Sequence, residues 1–273
     1  MALVLYLFLS AVGSTVVFAN FNTDFDITFG ADHTKILDNG RQLQLSLDKT
    51  SGSGFQSKSE ILFGQINMKI KLVPGYSAGT VTTFYLSSQG SNHDELDFEF
   101  LGRLPGDPYA MQTNVFVQGQ GNREVRFNLW FDPTENFHTY SLLWNSHQIL
   151  FSVDGTPMRV FKNMENIGVP YPRDQAMRVI GSLWDGSDWA TDGGRAKVDY
   201  SKAPFVALFS SYSAEACING EPCNTNAAWS RERISVEQWK QLKIVRKKYM
   251  TYDYCLDKER FPHGLPAECT RHS

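Results

Sequence analysis

No cysteine precedes Cys217. All four, Cys217, Cys223, Cys255 and Cys269, fall in the last quarter of this 273-residue chain. Most of the chain must therefore hold itself together by packing alone. The spacings lack the paired C-x-x-C knuckles of a zinc site, which argues against zinc as the alternative to disulfides. Four cysteines allow three pairings, and proximity favours Cys217–Cys223 with Cys255–Cys269. The chain also lacks a charge excess: its net charge of −3 gives no electrostatic case for nucleic acid binding. Residues 1–19 contain no charged side chain, and Val17-Phe18-Ala19 places small residues before Asn20. That run reads as a secretory signal peptide. It lacks the usual Lys or Arg at its head, and a retained membrane anchor is the alternative, since the run barely reaches the ~18–20 residues of a span. No internal repeat or low-complexity linker is visible, and no long amphipathic helix precedes residue 230.

What is present is a succession of short strand signals. Residues 65–73 and 125–131 alternate polar and apolar, and 43–47, 81–86, 95–101, 112–118, 139–144 and 204–210 are further candidates. Residues 149–153 and 158–161 flank Asp154-Gly155, a hairpin signal. Many short strands predict an all-β sandwich. The pattern changes near residue 235. Ser235 and Gln238 have the spacing of a capping box, and Trp239, Leu242, Val245 and Tyr249 recur at helical period. Lys240, Lys243, Lys247 and Lys248 lie largely off that stripe. A helix docked on the sandwich with a solvated basic face is expected, ahead of a membrane- or calmodulin-binding helix. The cysteines would staple this C-terminal extension, which is too small to hold itself together. Aromatics make up 13% of the chain. Most are expected to fill a β core, and the surplus suits a neutral, polyhydroxylated ligand whose sugar rings stack on flat faces.

The most informative segment is Glu95-Leu96-Asp97-Phe98-Glu99-Phe100-Leu101. In a strand, alternate side chains point to opposite faces. Glu95, Asp97 and Glu99 then share one face, and Leu96, Phe98 and Phe100 the other. Like charges in a row repel, so the row needs an offset. Glycoside hydrolysis is one, because it uses an ionised and a protonated carboxyl around a sugar bond. Glu95 and Glu99 would have Cα atoms about 13 Å apart at ~3.3 Å per residue, and a twisted, concave strand brings their tips closer. The spacing permits the retaining mechanism. A solvent-facing acidic strand remains the alternative on spacing alone, and His93 reads as structural.

His93-Asp94-Glu95-Leu96-Asp97-Phe98-Glu99-Phe100-Leu101-Gly102 resembles the active-site signature of the plant xyloglucan endotransglucosylase/hydrolases of glycoside hydrolase family 16. Further blocks are similar to the same family. These are Gln112-Thr113-Asn114-Val115-Phe116, Gly121-Asn122-Arg123-Glu124, Leu129-Trp130-Phe131-Asp132-Pro133-Thr134, Phe137-His138-Thr139-Tyr140, Ser182-Leu183-Trp184-Asp185 and Asp188-Trp189-Ala190-Thr191-Asp192-Gly193-Gly194. Tyr249-Met250-Thr251-Tyr252-Asp253-Tyr254-Cys255 and Arg260-Phe261-Pro262 match the C-terminal extension peculiar to this group. The resemblance implies a concanavalin-like β-jelly-roll sandwich with a glucan cleft and a short C-terminal extension containing a helix. On this reading residues 1–19 are the signal peptide, 20–210 the catalytic domain and 211–273 the disulfide-stapled extension.

The resemblance also implies roles. Glu95 becomes the nucleophile, Glu99 the general acid/base and Asp97 the assisting residue. Gln112, Thr113, Asn114, Asn122, Arg123 and Glu124 become substrate contacts. Trp184, Asp188 and Trp189 join them, with Gly193 and Gly194 letting backbone approach the acceptor and Arg260 on the acceptor side. No cofactor or metal is implied. The partners are xyloglucan polymer and its oligosaccharides, acted on by a secreted monomer of the cell wall or apoplast without stable membrane association. A predominantly hydrolytic xyloglucanase or a mixed-linkage glucanase of this fold, and a non-catalytic glucan-binding module, are the rivals. The absence of a long insertion within residues 187–201 favours transfer, and the presence of both glutamates argues against the binding module. One departure stands out: many members carry an Asn-x-Thr sequon after the Gly matching Gly102, where this chain has Arg103-Leu104-Pro105, and no Asn-x-Ser/Thr occurs anywhere. N-glycosylation is expected to be absent.

Overall fold

The computed structural model describes residues 19–220 and 223–271. The expected signal peptide, residues 1–19, lies outside the described residues but for Ala19. Among the described residues no helix is long and apolar enough to cross a membrane.

The described residues form fourteen strands, all paired antiparallel. In order they are β1 (Phe25–Phe29), β2 (Thr34–Leu37), β3 (Gln42–Leu47), β4 (Ser53–Lys71), β5 (Thr80–Ser87), β6 (Glu95–Leu101) and β7 (Ala110–Phe116). There follow β8 (Val125–Asn128), β9 (His138–Trp144), β10 (Gln148–Val153), β11 (Thr156–Lys162), β12 (Met177–Asp185), β13 (Phe205–Ile218) and β14 (Met250–Asp253).

Strand β4 organises the sandwich. It bends at Phe63, whose φ of 66° is unusual for a bulky residue, just before Gly64. A Cβ on Gly64 would sit 2.5 Å from the Ala216 Cβ, so only glycine lets β13 approach there. Up to Ile61 β4 pairs with β1 and β12; from Ile61 onward it pairs with β13 and, past the bend, with β9. Two layers result. One runs β1-β4-β12-β5-β6-β7-β8-β14, the other β11-β10-β9-β4-β13-β3-β2. Between them Phe98 and Phe100 of β6 meet Tyr140 of β9 and Phe151 of β10, at centroid distances of 4.6 to 5.8 Å. All four rings are fully buried. Burying each is worth about 1.5–3 kcal/mol, which fixes the register of β6 and turns its carboxylates outward.

The C-terminal helix α2 (Val236–Tyr249), preceded by the short α1 (Ala228–Arg231), begins with the expected capping box. Ser235 Oγ accepts from the Gln238 amide at 3.1 Å, and Gln238 Oε1 accepts from the Ser235 amide at 2.8 Å. Leu242 and Val245 are buried. Disulfides join Cys217 to Cys223 and Cys255 to Cys269. Strand β13 runs through residue 210, and β14 adds to β8, so the extension widens the cleft-bearing layer.

Several elements escaped the sequence pattern. β12 carries Gly181 in mid-strand, where a Cβ would lie 2.5 Å from the Phe55 ring. The first half of β4 is rich in Gly, Ser and charge, and β1, β2 and β14 are short edge segments defined only by what they pair with.

Candidate active site

The alternation predicted for β6 holds. Leu96, Phe98 and Phe100 are wholly buried between the layers, while Glu95, Asp97 and Glu99 line an open cleft of about 500 Å³. Neighbouring strands supply the rest by the same two-residue period. In register, Tyr85 and Asn114 flank Asp97, and Thr83 and Gln112 flank Glu99. Phe116 lies opposite Glu95. Ser182, Trp184, Trp189 and Glu124 complete the wall.

The three carboxylates have different surroundings. Glu95 has His93 Nε2 at 3.8 Å. Asp97 is pushed well above the ordinary carboxylate range, first by burial and then by the charges of Glu95 and Glu99 and a hydrogen bond with Glu95. Glu99 is raised too, chiefly by burial, with Glu124 and Glu95 adding to it and Gln112 and Arg126 opposing. Gln112 is oriented by Arg126, its partner on β8. Arg126 Nη2 donates to Gln112 Oε1 at 2.8 Å, leaving Gln112 Nε2 to donate to Glu99 Oε2 at 2.8 Å. The row thus sets two carboxyls whose proton affinity burial raises beside one backed by a histidine, an arrangement suited to acid–base chemistry on a sugar bond.

A second cluster borders the cleft. Arg260 Nη1 donates to Glu124 Oε2 at 2.6 Å and to the Tyr252 hydroxyl at 3.1 Å, and its Nη2 donates to Asn122 Oδ1 at 2.7 Å. Arg260, Glu124 and Tyr252, with Gln112, Arg126 and Trp189, line a contiguous hollow of about 340 Å³. The fork of Arg260 thereby ties the extension to the cleft. Trp184 and Trp189 lie 6.2 Å apart between centroids and tilted by 46°, offering two aromatic faces on one wall. Gly193 and Gly194 have φ of 66° and 80°. A Cβ on Gly194 would fall 2.4 Å from the Asp188 carbonyl oxygen, so Gly194 closes the loop, whereas nothing lies near Gly193. Asp188 is exposed.

Two expected contacts are placed elsewhere. Thr113 occupies the other face of β7, fully buried, its hydroxyl donating to Val125 O and accepting from Arg159. Arg123 is buried and directed at Glu268, its Nε donating to Oε1 at 2.7 Å. Both sit inside motif blocks whose alternate members do face the cleft; the period of two excludes Thr113 once Gln112 and Asn114 are placed there. Asn114 faces the cleft, yet its Oδ1 accepts from the Val115 and Arg123 amides, so it also holds the loop to Arg123. Tyr85, Thr83, Ser182, Arg126 and Tyr252 were missed. The alternation along residues 81–86 carried a signal for the first two; Arg126 and Tyr252 reach the site only through pairing of distant strands. Among the described residues no cluster of His, Cys, Asp and Glu could hold a metal ion.

Residues 21–202 match the profile of Glycosyl hydrolases family 16, and residues 223–269 match that of the Xyloglucan endo-transglycosylase (XET) C-terminus. The chain is 56% identical over 257 residues to Xyloglucan endotransglucosylase protein 1 of Diospyros kaki, covering 93% of this chain and 89% of the relative. It is 51% identical over 273 residues to Xyloglucan endotransglucosylase/hydrolase protein 22 of Arabidopsis thaliana, covering 96% of each. Among solved structures, a Bacillus licheniformis beta-glucanase superposes with a TM-score of 0.60 at 22% identity, over 74% of this chain and 96% of that one. The apo Crh5 transglycosylase gives 0.60 at 24% identity, over 74% and 84%. The jelly-roll architecture, the outward carboxylate row and the matching C-terminal extension agree: this chain belongs to glycosyl hydrolase family 16, in its xyloglucan endotransglucosylase/hydrolase group.

Proposed function

We propose that this protein cuts the β-1,4-glucan backbone of xyloglucan by a retaining double displacement and rejoins the new end to a second xyloglucan chain. The carboxylate row on the floor of an open cleft carries this reading. Glu95 attacks the anomeric carbon, while Glu99, kept protonated by burial, gives its proton to the departing oxygen. Asp97, neutral and hydrogen-bonded with Glu95, steadies the nucleophile as its charge is spent on the covalent glycosyl-enzyme. Glu99, now ionised, removes the proton from the 4-hydroxyl of an incoming chain end, and that oxygen displaces Glu95. Water in its place gives hydrolysis.

Trp189 and the Arg260–Glu124–Asn122 cluster form the acceptor side, where a sugar chain is held long enough to outcompete water. Arg126, Gln112 and Asn114 orient groups around the reacting bond. The protein acts outside the cell, in the wall, as a monomer. Because Glu99 must carry a proton to start the reaction, cleavage falls as pH rises through its raised pKa.

The test is incubation with xyloglucan, with and without labelled xyloglucan oligosaccharides, following polymer size and label. Label entering polymer with few new reducing ends is the expected result. Reducing ends without incorporation would make the protein a hydrolase, and neither signal from folded protein would make it a binding module. Glu95→Ala is expected to abolish both reactions while leaving the fold intact; near-normal turnover would remove the nucleophile assignment.

A further inference from the structure

Behind the cleft, where the C-terminal extension meets the sandwich, charges do not balance. Arg123 pairs with Glu268 at 2.7 Å, and Arg246 pairs with Asp253. Arg159 of β11 is the third cation of this group, and no carboxylate among the described residues forms an ion pair with it. It is only 2% exposed. Its Nη1 donates to Thr113 O at 2.9 Å and Thr113 Oγ1 at 3.1 Å. The guanidinium lies over the rings of Phe151, at 5.6 Å, and Tyr254, at 5.9 Å. Its Nη2 is buried with no partner. A buried cation without a counter-ion is costly, and a guanidinium does not escape the cost by losing its proton.

The offset lies across the sheet. Thr113 stands in register with Phe98, the residue between Asp97 and Glu99. Phe98 also packs on Phe151, the ring beneath Arg159. The leftover positive charge is thus one residue layer beneath three crowded carboxylates. We propose that Arg159 is a positioning residue for the reaction, whose uncompensated interior charge acts through β7 to let the Glu95–Asp97–Glu99 row carry negative charge in a buried cleft. The inference rests on that row being the reacting groups. Its field opposes the effect of burial on Asp97. The other groups facing the row are His93, Tyr85, Glu124 and Arg126; those facing Arg159 from the extension are Tyr254, Asp253 and Arg246, with Arg123 beside them.

The deciding experiment is the pH profile of kcat/KM for transfer in the wild type, Arg159→Lys and Arg159→Met, with melting measured in parallel. Without the charge, Arg159→Met moves the acidic limb to higher pH by about half a unit or more, the scale of a unit charge acting through protein. Arg159→Lys, which keeps a cation, moves it less. An Arg159→Met protein that melts lower but keeps its limb in place, or an Arg159→Lys limb displaced as far, would reduce Arg159 to a structural tie and overturn the proposal. If Arg159→Met is not recovered folded, Arg159→Gln, which keeps a side-chain donor toward Thr113 but no charge, replaces it. Its limb is expected to move to higher pH like that of Arg159→Met, and an unmoved limb overturns the proposal. Full turnover in Glu95→Ala is a separate failure: it removes the reading of the row and does not involve residue 159.

Discussion

Between the two layers of the sandwich, Phe84, Phe98, Phe100, Tyr140 and Phe151 are sealed from water and touch one another ring to ring. The C-terminal extension buries far less, chiefly Trp229, Leu242, Val245 and Tyr254. It is held instead by the disulfides and by Arg123–Glu268, Arg246–Asp253 and Arg260–Glu124. The difference follows from size. A two-layer sandwich encloses enough apolar surface to offset the entropy of ordering it; a short segment does not and uses covalent and ionic ties. Those ties also bring the extension into the cleft, since Arg260 and Tyr252 border the hollow beside Glu124.

The contrast can be broken on the sandwich side first. Phe98→Ala removes a ring shared by both layers, and a loss of about 3–5 kcal/mol is expected across the whole fold, read as a lowered midpoint in chemical denaturation. Opening the disulfide between Cys255 and Cys269, which are separated by 14 residues, should cost about 3 kcal/mol. That loss should be confined to the extension, with hydrogen exchange rising in α2 and β14 while β5 to β7 stay protected. Uniform loss of protection would show that the two regions unfold as one.

Asp97→Asn should act in the opposite direction. Asp97 holds its proton more tightly folded than unfolded, so its contribution to stability falls as pH rises above the ordinary carboxyl value of 3.8 towards its raised folded pKa. The amide variant avoids that loss and should melt higher than the wild type at neutral pH while turning over more slowly. Equal melting at neutral and acidic pH would argue against the buried site as the source of strain. Ser235→Ala is the smallest change, about 1 kcal/mol from the lost cap, visible as fraying of the first turn of α2.

The residues β6 contributes were readable because a strand's period of two is local: spacing alone put Glu95, Asp97 and Glu99 on one face and their apolar neighbours on the other. The capping box at Ser235 is equally local, and the disulfide pairing followed from short separations. Gln112 and Asn114 against Thr113 obeyed the same period. What could not be read was anything created by pairing across long separations. β12 was hidden by Gly181, β14 by its shortness, and Arg126 and Tyr252 reach the cleft from elements that had no reason of their own to lie there.

The sequence by itself determined the all-β class, the carboxylate row, the helix cap and the covalent staples, because each depends on neighbours a few residues apart. Only the tertiary structure decided that β4 bends to serve both layers, that Arg260 joins Glu124 beside the cleft, and that Arg159, bonded to Thr113 behind β6, forms no ion pair among the described residues. Those depend on which distant segments share a buried volume, and burial and charge balance are properties of that volume, not of any stretch of chain.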